Sequence, residues 1–168
     1  MRKLNILKSI IDIFWIFSMI SIPIIIFLFG FVFFTEDISA FNIKINGLKI
    51  ETTTIVTKVI LAVMLVSYLL LIYCLYLFKK SLRYFQKLKI FDDLVIDNFN
   101  RIGVFLIISS ILTVGSSIVY NALYQKKLSL EIGFSPFILM LSLGFFFMVL
   151  SEIFKISKNM KEENELTI

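Results

Sequence analysis

Ser109, Thr113 and Ser117 recur every four residues in an apolar run at 102–123, so they share one face if that run is helical; Ser110, Gly115 and Ser116 lie beside them. A hydroxyl stripe of this kind can line a polar path for a substrate, or it can let a neighbouring helix approach closely and hydrogen-bond to it. No acid or base lies among these hydroxyls, whereas functional sites inside membranes usually carry ionisable groups, so the stripe reads as a helix-packing face. Two ionisable residues of the other apolar runs are Asp12 and Lys58. Asp12 lies one turn inside its run, where it can reach headgroup water or Lys8, or pair with a base such as Arg101. Lys58 lies about one turn inside the opposite end of its run and can extend outward to water.

Other chemistries lack their parts. The chain has no His, and its one Cys, Cys74, lies inside an apolar run. That excludes a disulfide within the chain and a His/Cys metal cluster, and leaves the thiol without a base to activate it. There is no Gly-rich phosphate loop, no pair of carboxylates at one depth and no internal repeat, so neither an enzyme nor a cofactor is expected.

The elements that position these residues follow from composition. With 59% hydrophobic residues, 19 Phe and a mean hydropathy of +0.95, the chain is too apolar for a water-soluble domain. Four runs, about 10–34, 55–78, 102–123 and 137–154, are long enough as helices to cross a hydrocarbon core of roughly 30 Å. The first is too long for a signal-peptide core and lacks a clear cleavage site. The expected fold is an all-α integral membrane protein, one domain over 1–168 with four transmembrane helices. Pro23 should kink the first, with Ser18 and Ser21 available to the freed backbone groups.

Charge sets the expected orientation. The connector 79–101 holds six basic residues, Lys79, Lys80, Arg83, Lys87, Lys89 and Arg101, against three acids. With the two termini it accounts for 12 of the 17 Lys and Arg, leaving five for the other side. Short basic loops stay in the cytoplasm, so both termini are expected inside. The net charge of +5 then belongs near anionic headgroups, and direct nucleic-acid binding is not expected. Within the connector, Asp92 reads as an N-cap, with Phe91 stapled on Ile96. The preceding helix should run past Phe85, break near 89–91 and restart at Asp93.

On the other side, the alternation around Asn46-Gly47 in the first loop predicts a β-hairpin with strands near 41–45 and 48–52. Ser135-Pro136 reads as the start of the fourth span. The extension of that helix carries Ile153, Ile156 and Met160 at helical spacing, which can rest on the membrane surface before the tail 155–168 ends in KEENELTI. Such an acidic ending is ordinarily solvated and frayed; its acids can alternatively pair with Lys79, Lys80, Arg83 and Lys87.

Two stretches carry a resemblance. Leu150, Glu152, Ile153 and Phe154, followed by Glu162, Glu163, Asn164, Glu165, Leu166, Thr167 and Ile168, resemble the C-terminal pattern of the bacterial membrane proteins grouped as domain of unknown function 2975. Lys89, Phe91, Arg101, Ile102 and Gly103 match that family's connector pattern. The chain departs from it at Leu88 and Ile90, where Gly and Pro are usual, at Val95 for Asn, and at Ser157 for Gly. The resemblance implies a four-span protein of the bacterial cytoplasmic (inner) membrane. The family has no established activity, and its genes often neighbour a small helix-turn-helix regulator.

The expected function is therefore that of a non-enzymatic membrane protein engaging a cytoplasmic partner, such as that regulator. The expected surface is Lys79, Lys80, Arg83, Lys87, Lys89, Phe91, Asp92 and Arg101, together with Glu162, Glu163, Asn164, Glu165, Leu166 and Thr167. Membrane lipid and further copies of the chain are the other expected partners. The alternative is a small transporter, channel or lipid-binding subunit using Ser109, Thr113 and Ser117.

Overall fold

A computed structural model describes residues 2–35, 44–45, 48–49, 54–124 and 136–166. Four helices account for nearly all of them: α1 (Arg2–Phe34), α2 (Ile55–Gln86), α3 (Asp93–Tyr124) and α4 (Pro136–Leu166). Each is long and apolar enough to cross a membrane. At 31 to 33 residues and 1.5 Å per residue they measure roughly 46–50 Å, well beyond a core of about 30 Å. Much of the excess lies at the connector end, where α2 continues eight residues past 78 and α4 twelve past 154.

α3 is the central element. It packs most extensively against α4 and almost as extensively against α2, whereas α1 touches α2 over a smaller surface. Burial follows the same order, because α1 contributes one buried residue, Val32, and α3 thirteen. The α3–α4 crossing is close enough that glycine is required on both sides. A Cβ on Gly103 would meet the Met148 side chain and lie 2.6 Å from the Gly144 carbonyl; a Cβ on Gly144 would lie 2.7 Å from Ile107 and 2.9 Å from the Gly103 carbonyl. Backbone therefore lies against backbone, which is how helices associate where lipid is as apolar as the helix surface.

The connector consists of two satisfied helix ends joined by a short turn. At the end of α2, Leu88 N–H donates to the Phe85 carbonyl and Lys89 N–H to the Tyr84 carbonyl, at 3.1 and 3.0 Å. This is a Schellman motif, with Leu88 at the left-handed position and φ of 61°. Glycine is the ordinary residue there, because a Cβ is strained at that φ. α3 then starts at Asp93, with Asp92 Oδ1 accepting from Leu94 N–H at 3.0 Å.

The core of the bundle lies at this same end. Cys74, Leu77, Val95, Phe99, Ile102 and Leu106 are buried together. Phe99 is 1% exposed, its ring lies against those of Phe78, Phe85, Phe147 and Phe154, and three helices meet on it.

Several expectations change. The acidic ending is not frayed through Leu166, because α4 continues to that residue. Phe91 lies against Phe154, with ring centroids 5.9 Å apart, which adds a contact on α4 to the expected one on α3. Ser18 and Ser21 donate to the Phe14 and Ser18 carbonyls, and neither reaches the Met19 carbonyl that Pro23 frees. Lys58 Nζ donates to the Phe33 carbonyl at 2.8 Å and closes the end of α1. Of the two expected strands, the described residues of the first loop show two antiparallel pairs, Lys44 with Lys49 and Ile45 with Leu48. These pairs alone do not establish the expected hairpin, and the four helices make the fold class all-α. The remaining hairpin positions and Ser135 lie outside the described residues.

Two substitutions test these backbone constraints by thermal unfolding in detergent. Leu88→Gly is expected to stabilise by about 0.5–1 kcal/mol, the left-handed strain less the entropy glycine loses, or a Tm higher by roughly 1–4 °C. Gly103→Ala is expected to cost about 1–3 kcal/mol by forcing α3 and α4 apart.

Candidate functional site

The expected partner surface is built from three helix ends, and the structure divides it in two. The turn and the end of α4 come together. Leu88, Lys89, Ile90, Phe91 and Asp92 line a cavity of about 320 Å3 with Lys158, Lys161, Glu162 and Glu165. Below it, the rings of Phe85 and Phe91 both lie against Phe154, at 6.1 and 5.9 Å. On its flank, Lys158 Nζ donates to both Asp93 oxygens at 2.7 and 2.6 Å. Asp93 sits in the first turn of α3 and complements the helix dipole, so one carboxylate serves its own helix and fastens α4. That carboxylate, accepting from the ammonium, holds the Lys158 pKa above its ordinary value, with Glu162 adding to the effect.

Two of the tail acids, Glu162 and Glu165, take basic partners on α4 itself. Glu162 pairs with Lys158 at 3.5 Å and Glu165 with Lys161 at 3.6 Å, both one turn apart on α4. Such exposed pairs stabilise the helix only slightly. They do keep the end of α4 helical and leave Leu88 at 69% exposure and Ile90 and Phe91 at 37% in a charged surround. Glu163 and Asn164 are exposed on the same helix, Leu166 is its last residue, and Thr167 lies outside the described residues.

The remaining basic residues lie elsewhere. Lys79 faces α1 and makes an ion pair with Asp12 at 2.9 Å. The expectation for Asp12 is headgroup water or Lys8, or a base such as Arg101; the register between α1 and α2 makes that base Lys79, whose ammonium also sits 5.5 Å from the centre of the Trp15 ring. Lys80 is half-buried, and Arg83 and Lys87 are exposed on α2. Arg101 is exposed roughly 12 Å further along α3 from its start, and does not line the turn cavity.

A second cavity, of about 540 Å3, lies in the α3–α4 groove and is lined by Asp93, Asp97, Asn100, Glu152 and Lys155 among others. Its wall is fixed by Ser151 Oγ, buried and donating to the Ile96 carbonyl at 2.7 Å. On the opposite side of α3, buried Asn98 donates to Ser81 Oγ at 3.2 Å. The sequence reading singled out neither Ser151 nor Asn98. Each is a polar residue within a helical apolar pattern, a signal that marks burial without naming the partner.

The hydroxyl stripe of α3 is occupied by α2. Ser67 Oγ lies 2.7 Å from Ser109 Oγ and 2.8 Å from Thr113 Oγ1. Ser109 Oγ donates to the Ser67 carbonyl at 3.1 Å, and Thr113 Oγ1 donates to the Ser109 carbonyl at 2.9 Å. Ser67 and Ser109 are 3% and 0% exposed, and Ser117 is also buried. Neither cavity above is lined by these residues. Ser67, the partner the stripe was built for, was missed because a single Ser in α2 carries no periodicity. Cys74 is likewise buried in the helix contact, its Sγ 3.8 Å from the Ile102 carbonyl. No group of three or more potential metal ligands occurs among the described residues.

Nothing matches the chain among curated proteins or among solved structures. A family match does exist, and it runs from Lys8 on α1 through all four apolar helices to the end of the acidic tail. Matching over residues 8–168, the chain belongs to the family described as protein of unknown function, DUF2975.

Proposed function

We propose that this is a non-enzymatic membrane protein whose connector turn and α4 terminus together engage a cytoplasmic protein. The observation that carries the reading is the cavity shared by the turn and the tail. It lies beyond the apolar spans, and exposed Leu88, Ile90 and Phe91 stand beside Lys89, Glu162 and Glu165. Apolar side chains within a charged rim are the composition of a docking surface. The surface is also preorganised, since both helix ends are capped and Phe154 holds the turn from beneath.

The orientation belongs to the same reading. The start of α1, the connector and the end of α4 lie at one end of the bundle, joined by Asn5 with Gln86 and by Lys158 with Asp93. That end carries 12 of the 17 basic residues, the bias of a cytoplasmic face. The membrane is then the bacterial inner membrane, and the partner implied by the family resemblance is a small helix-turn-helix regulator.

Leu88→Asp tests the docking surface without straining the turn, because Asp tolerates the left-handed conformation better than Leu. In affinity purification from native membranes, the regulator encoded nearest the gene is expected to fall at least about tenfold with this variant, while Tm is unchanged or higher. Equal recovery with the unmodified chain refutes the reading. Ser67→Ala separates it from a transport role. As a packing contact the hydroxyl cluster should lose about 0.6 kcal/mol per hydrogen bond, read as a small drop in Tm with no change in the flux of any solute.

A further inference from the structure

α1 is joined to α2 by polar contacts at intervals along a shallow seam. Asn5 accepts from Gln86 at 3.0 Å, Asp12 pairs with Lys79 at 2.9 Å, Ser21 bonds Tyr68, and the Phe33 carbonyl accepts from Lys58. At its connector end the seam holds an excess of positive charge between two of these contacts. Lys8 lies one helical turn before Asp12, and Arg83 one turn after Lys79. The Asp12–Lys79 pair therefore sets Lys8 and Arg83 on the same stretch of seam, one turn further out. Lys8, Lys79 and Arg83 are the cations that act on the Asp12 carboxylate. The Asn5–Gln86 bond closes the seam beyond them.

Three cations thus share one acid, and that acid is committed to Lys79. The depth of the group is marked by Trp15 and Tyr76, whose rings lie 5.4 Å apart directly below it. Trp and Tyr collect at the boundary between hydrocarbon and headgroups. The region just outward of that boundary is where phosphates of a bilayer lie, and basic pockets between membrane helices take anionic headgroups. Lys8 is half-buried on the seam. Below it, α1 presents apolar side chains such as Phe14 and Phe17, 57% and 66% exposed, along which acyl chains can lie.

The geometry points to a binding site for the phosphodiester headgroup of an anionic phospholipid at the connector end of the α1–α2 seam, with Lys8 and Arg83 as the cations that hold it. Asp12 keeps Lys79 paired and so fixes the spacing of the two helices. Trp15 and Tyr76 form the floor. A bound lipid then bridges the helix that is least embedded in the bundle to the helix that leads into the connector.

The test uses the full chain in mild detergent, titrated separately with phosphatidylglycerol, phosphatidylcholine and glycerol 3-phosphate. Retention is counted by native mass spectrometry, and Tm is followed in parallel. Phosphatidylglycerol is expected to be retained and to raise Tm at lower concentration than phosphatidylcholine, with glycerol 3-phosphate unable to displace it. Lys8→Gln with Arg83→Gln is expected to lower the preference for phosphatidylglycerol roughly 25-fold, at about fivefold per charge. Lys155→Gln with Lys161→Gln removes equal charge from α4 and is expected to leave the preference in place. Equal retention of the two lipids by the unmodified chain overturns the proposal, as does equal loss in the two double variants. Displacement by glycerol 3-phosphate at equal concentration also overturns it, in favour of a site for a free phosphate anion. The lipid series on the unmodified chain decides the matter even if a variant fails to fold.

Discussion

The contact of Gly103 with Gly144 sets the rest of the bundle. Between helices in lipid there is little hydrophobic drive to associate, so close packing and hydrogen bonds must supply the attraction. Two glycines at one level let the α3 and α4 backbones touch. Once they do, the positions one to four turns toward the connector are determined: Ser151 meets the Ile96 carbonyl, Phe154 meets Phe99, and Lys158 meets Asp93. The family's connector and tail patterns, well separated along the chain, become neighbours through this crossing.

The α2–α3 and α1–α2 contacts are made differently. α2 joins α3 through hydroxyls, with Ser67 inserted among Ser109 and Thr113, and through the aromatic core around Phe99. α1 joins α2 through widely spaced polar contacts and contributes almost nothing to the core. The bundle is therefore graded, with a closely packed α2–α3–α4 unit and a first helix that mostly meets lipid.

Residue patterns with local causes were legible in the sequence; register between helices was not. The four apolar runs, Asp92 as a cap, the restart at Asp93 and the Ser109–Thr113–Ser117 face all follow from neighbours within a few residues. The Schellman turn was hidden because its diagnostic glycine is Leu88 here, and the structure keeps the motif at the cost of a strained backbone. The partner of Asp12 could not be read, since several bases stood at comparable depth and a shift of one turn between α1 and α2 would exchange them. Gly144 was invisible for the same reason: a lone glycine in an apolar run has meaning only opposite Gly103. At the candidate site the residue types were readable, while the division between the turn–tail cavity and the α1–α2 seam depends on which way each helix face turns.

The shallow seating of α1 bears on the order in which the chain is made. α1 precedes its three partners during synthesis, and it meets the membrane before α2 exists to receive it. A helix that needed a buried face or an inter-helix pair deep in the hydrocarbon would be left with an exposed polar group during that interval. α1 has apolar surface nearly all round, with its acid at one end within reach of water. It is able to wait in lipid as a single span, and the tightly packed unit assembles afterwards from α2, α3 and α4, which share the glycine crossing and the phenylalanine core.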